Sequence, residues 1–324
     1  MKAAVYKKYG PAEVVKICDV PTPVAKPGQV LIRIRATTIS AADWRARALD
    51  LPRGFGPLGR VAFGIFGPRN PILGLSFAGD VAAVGAGVTR FEPGDAVFGV
   101  SGFKYFGCHA EYIVLPEKAA ILHKPKELSY EVATSLSFGG TTALFFLRDK
   151  AGLRPGERVA VIGASGSVGS ACVQLAKHFG ADVTGVTSTP NLELVRGLGA
   201  DDVIDYKVEN IVDSTQRWDI IVDCAGVTGF STHRHLLLPG GRLCFVLSSL
   251  WEMLRTPFNP RGQGRRAVHG TGGESIPDLK LLAELAVQGE FVPLIDSQYP
   301  LADIVAAHKR VESGRKRGAV VVLP

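Results

Sequence analysis

The stretch that decides the fold is a short apolar run that leads into a glycine-rich turn. It reads Val159-Ala160-Val161-Ile162-Gly163-Ala164-Ser165-Gly166-Ser167-Val168-Gly169. A continuous apolar run of this kind is typical of a strand that is buried on both faces. Small residues in the turn let the backbone approach a pyrophosphate, and a helix that starts there offers free N–H groups and a partial positive charge. The stretch therefore predicts a dinucleotide site.

The residues after this turn alternate between helix and strand patterns. A helix continues to Phe179, and the later segments predict strands at 182–187, 202–204, 218–223 and 241–247, with a helix at 191–198. Such alternation indicates a parallel sheet with helices on both faces, a doubly wound α/β fold. Two alternatives stay open at this point: a tight strand–helix turn in another α/β protein, and a methyltransferase-type nucleotide fold.

The remaining segments differ in character from this α/β part. Residues 29–36 alternate apolar and polar side chains between turn residues, as in a half-buried strand, and residues 1–124 look like an irregular, mostly β module. The last strand, 319–323, needs a sheet partner, and this module is the natural host. Residues 249–266, with Pro257 and Pro260, look like a flexible insertion before a last sheet strand at 267–270.

Composition excludes several classes of protein. The chain has 324 residues, 46% of them hydrophobic and 21% charged, which fits about two globular domains and excludes disorder. No apolar run approaches the ~18 residues of a membrane span, so we expect no membrane partner. Five cysteines without a CxxC spacing disfavour a disulfide framework and favour the cytoplasm. The net charge of +7 comes without a nucleic-acid reader motif, so we expect no nucleic-acid partner.

The end of the second predicted strand bears on the choice of cofactor. An NAD site favours Asp or Glu there, where a carboxylate holds the ribose 2′-hydroxyl. Here the strand ends in Thr187-Ser188-Thr189, which carries no charge to repel a 2′-phosphate, and Tyr206, Arg196 and Lys207 follow as candidate contacts. The sequence therefore predicts NADPH as the cofactor.

Motifs along almost the whole chain carry a family resemblance. They are Met1-Lys2-Ala3, Tyr9-Gly10-Pro11, Pro27-Gly28-Gln29-Val30-Leu31-Ile32, Asp43-Trp44, Gly74-Leu75-Ser76-Phe77-Ala78-Gly79-Asp80-Val81, Phe91-Glu92-Pro93-Gly94-Asp95-Ala96-Val97, the glycine turn, Leu198-Gly199-Ala200-Asp201, Val203-Ile204-Asp205-Tyr206 and Pro239-Gly240-Gly241-Arg242. The chain resembles the medium-chain dehydrogenase/reductase superfamily, most of all its zinc-free quinone oxidoreductase and enone reductase branch. The resemblance implies a Rossmann parallel sheet (125–272) inserted in a mostly β, GroES-like catalytic domain (1–124 plus 273–324).

The resemblance also implies a set of cofactor contacts. The family often has Gly-Lys before its last strand, whereas this chain has Arg317-Gly318-Ala319, so the role of that lysine is lost or passes to Arg317. For Thr141, helix capping is the alternative role. The expected cofactor-binding residues are Thr141, Gly163, Ser165, Gly166, Ser167, Val168, Gly169, Thr187, Ser188, Tyr206, Ala225, Leu247, Ser248 and Arg317.

The positions where zinc-dependent relatives carry metal ligands hold other residues here. Ser40, Leu75 and Ser137 stand at or near those positions, and hydroxyl and apolar groups do not form a tetrahedral zinc site. We therefore expect no metal. Cys108 and His109, although adjacent, are expected to be core or surface residues.

The resemblance implies hydride transfer from the nicotinamide to a quinone or to the β-carbon of an enone. Some relatives donate a proton from a tyrosine after the Asp43 position, but no tyrosine occurs between Tyr9 and Tyr105. Water, Ser40, Arg45 and Arg47 are the alternatives to that tyrosine, although arginine cannot act as an acid near neutral pH. Ser40 and Arg45 are the candidate catalytic residues.

The remaining expectations concern the cleft, the oligomer and the activity. Residues 51–70 are expected to line or cover an apolar substrate cleft, with an ordinary loop or an oligomer contact as alternatives. The resemblance leaves two oligomeric states open, a monomer and a homodimer that joins edge to edge through 267–270. The function predicted is a zinc-independent NADPH-dependent reductase of quinones or α,β-unsaturated carbonyls. The alternative is an NADPH-binding crystallin-like or interaction protein with little turnover.

Overall fold

The chain builds two large sheets, and the computed structural model describes residues 1–256, 262–272 and 275–324. The strands are β1 (Lys2–Tyr6), β2 (Val15–Asp19), β3 (Gln29–Ile39), β4 (Ser76–Val84), β5 (Ala96–Val100), β6 (Tyr112–Pro116), β7 (Ala120–His123), β8 (Arg158–Ile162), β9 (Asp182–Thr187), β10 (Asp202–Asp205), β11 (Trp218–Asp223), β12 (Leu237–Phe245), β13 (Arg266–His269), β14 (Ile295–Pro300) and β15 (Ala319–Leu323). The α-helices are α1 (Ala41–Ala48), α2 (Gly56–Phe63), α3 (Gly102–Tyr105), α4 (Tyr130–Leu144), α5 (Ser167–His178), α6 (Leu192–Gly197), α7 (Phe230–His233), α8 (Leu250–Arg255), α9 (Ile276–Gln288) and α10 (Ile304–Glu312). Within these residues, none of the helices combines the length and the apolar character needed to cross a bilayer.

The second half of the chain forms a parallel sheet of six strands. Their order is β10-β9-β8-β11-β12-β13, which is the 3-2-1-4-5-6 order of a Rossmann fold. Strand β8 lies at the centre and is buried from Val159 to Ile162, as its continuous apolar pattern predicts. The strand order reverses at β8, and open α/β sheets bind ligands at the carboxyl ends of the strands beside such a point.

The other sheet contains seven strands and unites the two ends of the chain. Its order is β14-β15-β3-β4-β5-β7, and β6 pairs with β3. Along β3 the buried Val30, Ile32 and Ile34 alternate with Leu31, Arg33 and Arg35, which confirms a half-buried strand. Strand β15 runs antiparallel to β3, with Val320 opposite Ile39, so the last strand pairs with the N-terminal module as predicted. The predicted fold class, a Rossmann sheet within a GroES-like β part, is confirmed.

The predicted flexible insertion at 249–266 is wrong in its first part. Helix α8 begins there, because the Ser249 hydroxyl accepts a hydrogen bond from the Glu252 N–H. This Ser-x-x-Glu pattern is a helix N-terminal signal that the downstream prolines obscured. Pro257, Pro260 and Arg261 lie outside the described residues, as does the predicted domain boundary at residue 273.

Two buried histidines lie between the seven-stranded sheet and α10. The His109 Nε2 atom is 3.1 Å from the Thr38 carbonyl oxygen, and the His109 and His308 ring centroids are 5.7 Å apart. The guanidinium of Arg47 is buried beside them and donates to Glu312 at 2.8 Å. Burial lowers the pKa of His109 and holds the pKa of His308 well below its ordinary value. Both rings are therefore neutral in the folded protein near pH 7.

This pair predicts an acid-sensitive fold. A histidine whose pKa is lower in the folded than in the unfolded chain leaves stability intact above the unfolded pKa of about 6.5, and stability falls as the pH drops below that value. We expect the His308→Leu variant to lose less unfolding free energy than the wild type between about pH 6.5 and pH 5. Urea unfolding at several pH values measures how the unfolding free energy of each protein changes with pH. Equal changes in the wild type and the variant would contradict a lowered pKa of His308 in the folded chain.

Candidate cofactor site and catalytic cleft

The glycine turn places the N-terminus of α5 at the carboxyl edge of β8. Gly163 adopts a φ of +79°, and Gly166 is the N-cap of α5 without a side-chain cap. A Cβ atom at Gly169 would lie 2.1 Å from the Gly163 carbonyl oxygen, so only glycine lets the helix pack this closely against the turn. Uncapped N–H groups at the start of a twelve-residue helix suit a phosphate. A dinucleotide pyrophosphate therefore fits this turn.

A polar network joins the turn to the end of β9. The Thr187 hydroxyl donates to the Ser165 hydroxyl at 3.1 Å, and the Asn191 amide donates to the hydroxyls of Ser165 and Ser188 at 3.3 and 3.1 Å. Tyr206 is joined to the same edge through its N–H, which lies 3.0 Å from the Thr187 carbonyl oxygen. The structure thus brings together the predicted cofactor residues Ser165, Thr187, Ser188 and Tyr206. It adds Asn191, which lies beyond the end of the predicted strand and was not among the predicted site residues.

The segment before β15 crosses over the turn from the other sheet. The Gly318 N–H donates to the Ser165 carbonyl at 3.1 Å, and the two backbones form a short bridge at Gly166 and Gly318. Arg317 extends toward the end of β9, where its guanidinium is 3.4 Å from the Pro190 carbonyl oxygen. The predicted placement of Arg317 beside the cofactor edge therefore has a structural basis in this crossing.

Lys316 points into a small cavity at the centre of the cleft. Its ammonium donates to the Gly318 carbonyl at 2.6 Å, and burial lowers the pKa of Lys316 to about 8. An ammonium has three donors, so two remain for a ligand besides this bond. The lysine was missed because it lies two residues before the expected Gly-Lys position. The cavity is lined by Thr38, Ile39, Ser40, Ser135, Phe138, Ser167, Lys316 and Ala319.

The loop after β11 lies against the glycine turn. The Ala225 side chain lies close to Gly163, since a Cβ on Gly163 would be 3.4 Å from the Ala225 methyl group. Leu247 lies close to Gly226 in the same way, since a Cβ on Gly226 would be 3.2 Å from the Leu247 Cβ. The buried Asp223 carboxylate accepts from the N–H groups of Ala225 and Gly226 at 2.9 and 2.8 Å. Ala225 therefore lies against the glycine turn and Leu247 against Gly226, while the cofactor contacts of Ala225, Leu247 and Ser248 stay predictions. Asp223 stabilises the loop that carries Ala225 and Gly226.

Helix α4 packs directly against the start of α5. A Cβ at Gly139 would lie 2.4 Å from the Ser167 carbonyl oxygen, so this glycine permits the contact. The Thr141 hydroxyl donates to the Ser137 carbonyl at 2.7 Å. The Thr141 hydroxyl therefore bonds to a carbonyl within its own helix and does not cap a helix end, and its cofactor contact stays a prediction.

Ser40 lies at the cavity as the N-cap of α1. Its hydroxyl donates to the Asp43 carboxylate at 2.6 Å, and the same carboxylate accepts from the Gly74 N–H at 2.9 Å. A serine hydroxyl has one proton and two acceptor sites. Ser40 can therefore accept a hydrogen bond from a ligand without losing Asp43, whereas donating one breaks the bond to Asp43.

Arg45, the other candidate catalytic residue, is engaged elsewhere on α1. Its guanidinium donates to the Asp50 carbonyl at 3.0 Å and lies 4.7 Å from the centre of the Trp44 ring. Arg45 is absent from the lining of the described cavity. Its contacts stabilise the C-terminal end of α1, and the structure does not bring it together with Ser40 and Lys316.

Ser76, the residue after the zinc-ligand position at Leu75, belongs to a cluster of buried hydroxyl groups. The Ser76 hydroxyl lies 2.7 Å from that of Thr38 and 3.2 Å from that of Thr134. Cys108, nearby in the core, donates to Ser101, and burial raises its pKa to about 12, so it carries no thiolate. Residues 1–256, 262–272 and 275–324 contain no cluster of three or more His, Cys, Asp or Glu side chains suited to a metal. The side chains present do not fit a zinc ion, which binds thiolate and imidazole ligands.

A wider concavity lies outside this cleft. It runs between α5, α6 and the segment that precedes β14, and its lining includes Gln174, His178, Leu198 and Glu290. None of the predicted site residues lies in its walls, so the small cavity beside α5 is the candidate site.

Comparison with known proteins places the chain in a family. A model described as "Alcohol dehydrogenase GroES-like domain" matches residues 26–126, and one described as "Zinc-binding dehydrogenase" matches residues 198–322. The chain is 35% identical to a 2-methylene-furan-3-one reductase of Solanum lycopersicum over 335 residues, covering all of this chain and 79% of the relative. It is 32% identical to an NADPH-dependent alkenal/one oxidoreductase, chloroplastic, of Arabidopsis thaliana, with coverage of 100% and 80%.

The solved structures agree with the sequence relatives. The quinone oxidoreductase of Coxiella burnetii superimposes with a TM-score of 0.89 at 29% identity, covering 100% of this chain and 99% of that one. The agreement extends over both sheets and the cleft between them. The chain is therefore an NAD(P)H oxidoreductase that belongs to the medium-chain dehydrogenase/reductase superfamily, in its quinone oxidoreductase branch.

Proposed function

We propose that the protein is a zinc-independent, NADPH-dependent reductase of quinones or α,β-unsaturated carbonyls. The observation that carries the proposal is the small cavity beside Ser167, in which Ser40, Phe138 and Lys316 present hydroxyl, aromatic and ammonium groups in place of metal ligands. Conjugated acceptors are already electrophilic and do not need a Lewis acid for hydride addition. The names of the two plant relatives, which include reductases of an enone and of alkenals and alkenones, support this class of acceptor.

The contribution of each residue follows from its contacts. A bound reduced nicotinamide supplies the hydride. The N-terminus of α5 and the Lys316 ammonium offset the negative charge of the cofactor phosphates. Ser40, whose proton is held by Asp43, accepts from a ligand hydroxyl and positions it. We assign the proton that reaches the acceptor to water rather than to Arg45, since a guanidinium stays charged near neutral pH.

The preference for NADPH rests on the edge formed by the end of β9. Ser188 and Thr187 are uncharged there, and the Arg317 guanidinium lies at the same edge. Asp205 stands opposite Thr187 in the sheet, and its carboxylate accepts from the Lys207 N–H at 3.0 Å. The arginine offers a planar pair of donors to a 2′-phosphate.

The proposal also includes the domain division and the oligomer. Residues 1–124 with 273–324 form the substrate part and 125–272 the cofactor part. A homodimer joins through β13, which is the outer strand of the six-stranded sheet on the β12 side. Acceptors are small molecules, and the cytoplasmic location stays a prediction.

The first prediction concerns the reaction itself. NADPH carrying deuterium at the transferable position of the nicotinamide should deliver the label to the β-carbon of a simple enone, because the hydride adds at the electrophilic end of the conjugated system. Mass spectrometry of the product locates the label. Turnover that is lost with a zinc chelator and restored by zinc would contradict the zinc-independent route, and cofactor binding without turnover on any quinone or enone would favour the crystallin-like alternative.

The second prediction concerns Arg317. The Arg317→Ala variant should lower kcat/KM for NADPH about tenfold or more, because a hydrogen bond to a charged group is lost, and should leave kcat/KM for NADH nearly unchanged. Arg315→Ala, which removes an exposed arginine two residues away, is the matched control. An equal loss of kcat/KM with NADPH and NADH would contradict a contact between Arg317 and the 2′-phosphate.

The third prediction concerns Lys316. Cofactor affinity should fall as the pH rises through about 8, where the Lys316 ammonium loses its proton, since only the charged form attracts phosphate. Lys316→Met should weaken NADPH and NADH binding alike, by about tenfold, and remove this pH dependence. Fluorescence titration of the cofactor measures both effects, with Lys280→Met on the exposed face of α9 as control. A variant that kept the wild-type pH profile would refute the role.

A further inference from the structure

Helix α2 and the turn after it expose large apolar side chains. Leu58 and Val61, three residues apart and therefore on one face of the helix, are both more than half exposed. Ile65 is 53% exposed, and Phe66 is exposed over its whole surface. Phe63 instead packs inward, with its ring 6.4 Å from that of Phe106. The helix thus anchors one face and leaves a second apolar face uncovered.

Two further segments extend this apolar surface. Helix α8 is joined to the segment before α2 by a 2.9 Å hydrogen bond from the Leu250 N–H to the Arg53 carbonyl. Helix α3 is joined through Phe106, whose ring lies 5.7 Å from that of Phe103. The apolar residues of the three segments that are more than half exposed, which we call the apolar rim, are Leu58, Val61, Ile65, Phe66, Phe103, Trp251 and Leu254.

Two segments of the apolar rim lie close in the chain to residues of the site. Helix α8 begins two residues after Ser248, a predicted cofactor residue, and α2 follows α1, whose N-cap Ser40 lines the small cavity. The chain therefore joins the rim to the site.

The charges among these segments are almost all positive. Residues 51–70 contain Arg53, Arg60 and Arg69 and no Asp or Glu, and all three arginines are exposed. Lys104 in α3 and Arg255 in α8 add two more cations. The Glu252 carboxylate of α8 is turned toward the protein, where it accepts from the Phe230 N–H at 3.1 Å.

We propose that the apolar rim docks the protein on the surface of an anionic lipid bilayer. Aromatic and aliphatic side chains interleaved with arginine and lysine suit the boundary between headgroups and acyl chains, and anionic headgroups complement the five cations. A second copy is a poorer occupant, because a two-fold contact pairs a patch with itself and would oppose cations to cations. The sequence-based expectation of no membrane partner concerned spanning segments, whereas docking requires none.

Docking has a consequence for the reaction, and this step rests on the proposed function. Docking would orient the entrance of the cleft toward the bilayer, where apolar quinones and alkenals concentrate. The docking itself does not depend on which acceptor is reduced, so it is measured without cofactor or acceptor.

The experiment is flotation of the full chain with two kinds of vesicle, one of phosphatidylcholine alone and one of phosphatidylcholine mixed with phosphatidylserine. The wild type should float with the mixed vesicles, less so as salt is added, because salt screens the charges. A double variant, Ile65→Ser with Phe66→Ser, should lower the bound fraction about tenfold, since it removes two inserted apolar side chains. Arg60→Gln with Arg69→Gln should reduce binding and its salt dependence.

Controls separate loss of docking from loss of folding. Val24→Ser removes a side chain that is 79% exposed in the loop before β3 and should bind vesicles like the wild type. All variants should keep the wild-type unfolding temperature. The proposal would be overturned if the wild type did not bind the mixed vesicles, or if the rim variants bound them as well as the wild type. A dimer that Ile65→Ser with Phe66→Ser dissociates, without vesicle binding by either form, would assign the rim to a second copy and overturn it as well. None of these outcomes bears on the deuterium result, so failure of docking and failure of the proposed reaction are distinguishable.

Discussion

The close approach of α5 to the turn after β8 is the constraint on which the site depends. Because Gly169 has no side chain, its backbone reaches a distance at which a Cβ would lie 2.1 Å from the Gly163 carbonyl oxygen. This contact points the free N–H groups of α5 at the edge where the strand order reverses. Helix α4 and the segment before β15 are both placed against the same turn, at Ser167 and Ser165. A larger residue at position 169 would push α5, and with it Ser167 in the lining of the small cavity, away from the turn.

The end of the chain completes the site from the other sheet. Strand β15 pairs with β3 and β14, and the residues just before it carry Lys316 and Arg317 across the cleft to the glycine turn. The small cavity is therefore assembled from both parts of the chain. Lys316 is the charged residue of its lining, so in the proposed function the affinity for an anionic cofactor depends on how the two sheets are held together.

In the proposed function, the chemistry of the cavity depends on the hydroxyl groups at and beside the positions where zinc-dependent relatives carry metal ligands. Hydroxyl groups of Thr38 and Ser76 bond to one another, and Ser40 is held by Asp43. In the proposed function these groups would orient a substrate without polarising it strongly, which suits acceptors that are already electrophilic.

Much of this protein was readable from local sequence. The Rossmann sheet, the glycine turn and the residues Ser165, Thr187 and Ser188 follow from patterns a few residues long, because strand burial and helix N-termini depend on neighbouring residues in the chain. The tertiary structure alone decided that Lys316 faces the cavity, that Asn191 joins the turn to β9, and that Arg45 is engaged at the end of α1 rather than in the cleft. Lys316 and Ser167 line the same cavity although they are about 150 positions apart in the chain. Which side chains meet over such a separation is set by how the two sheets pack, and no local pattern records it.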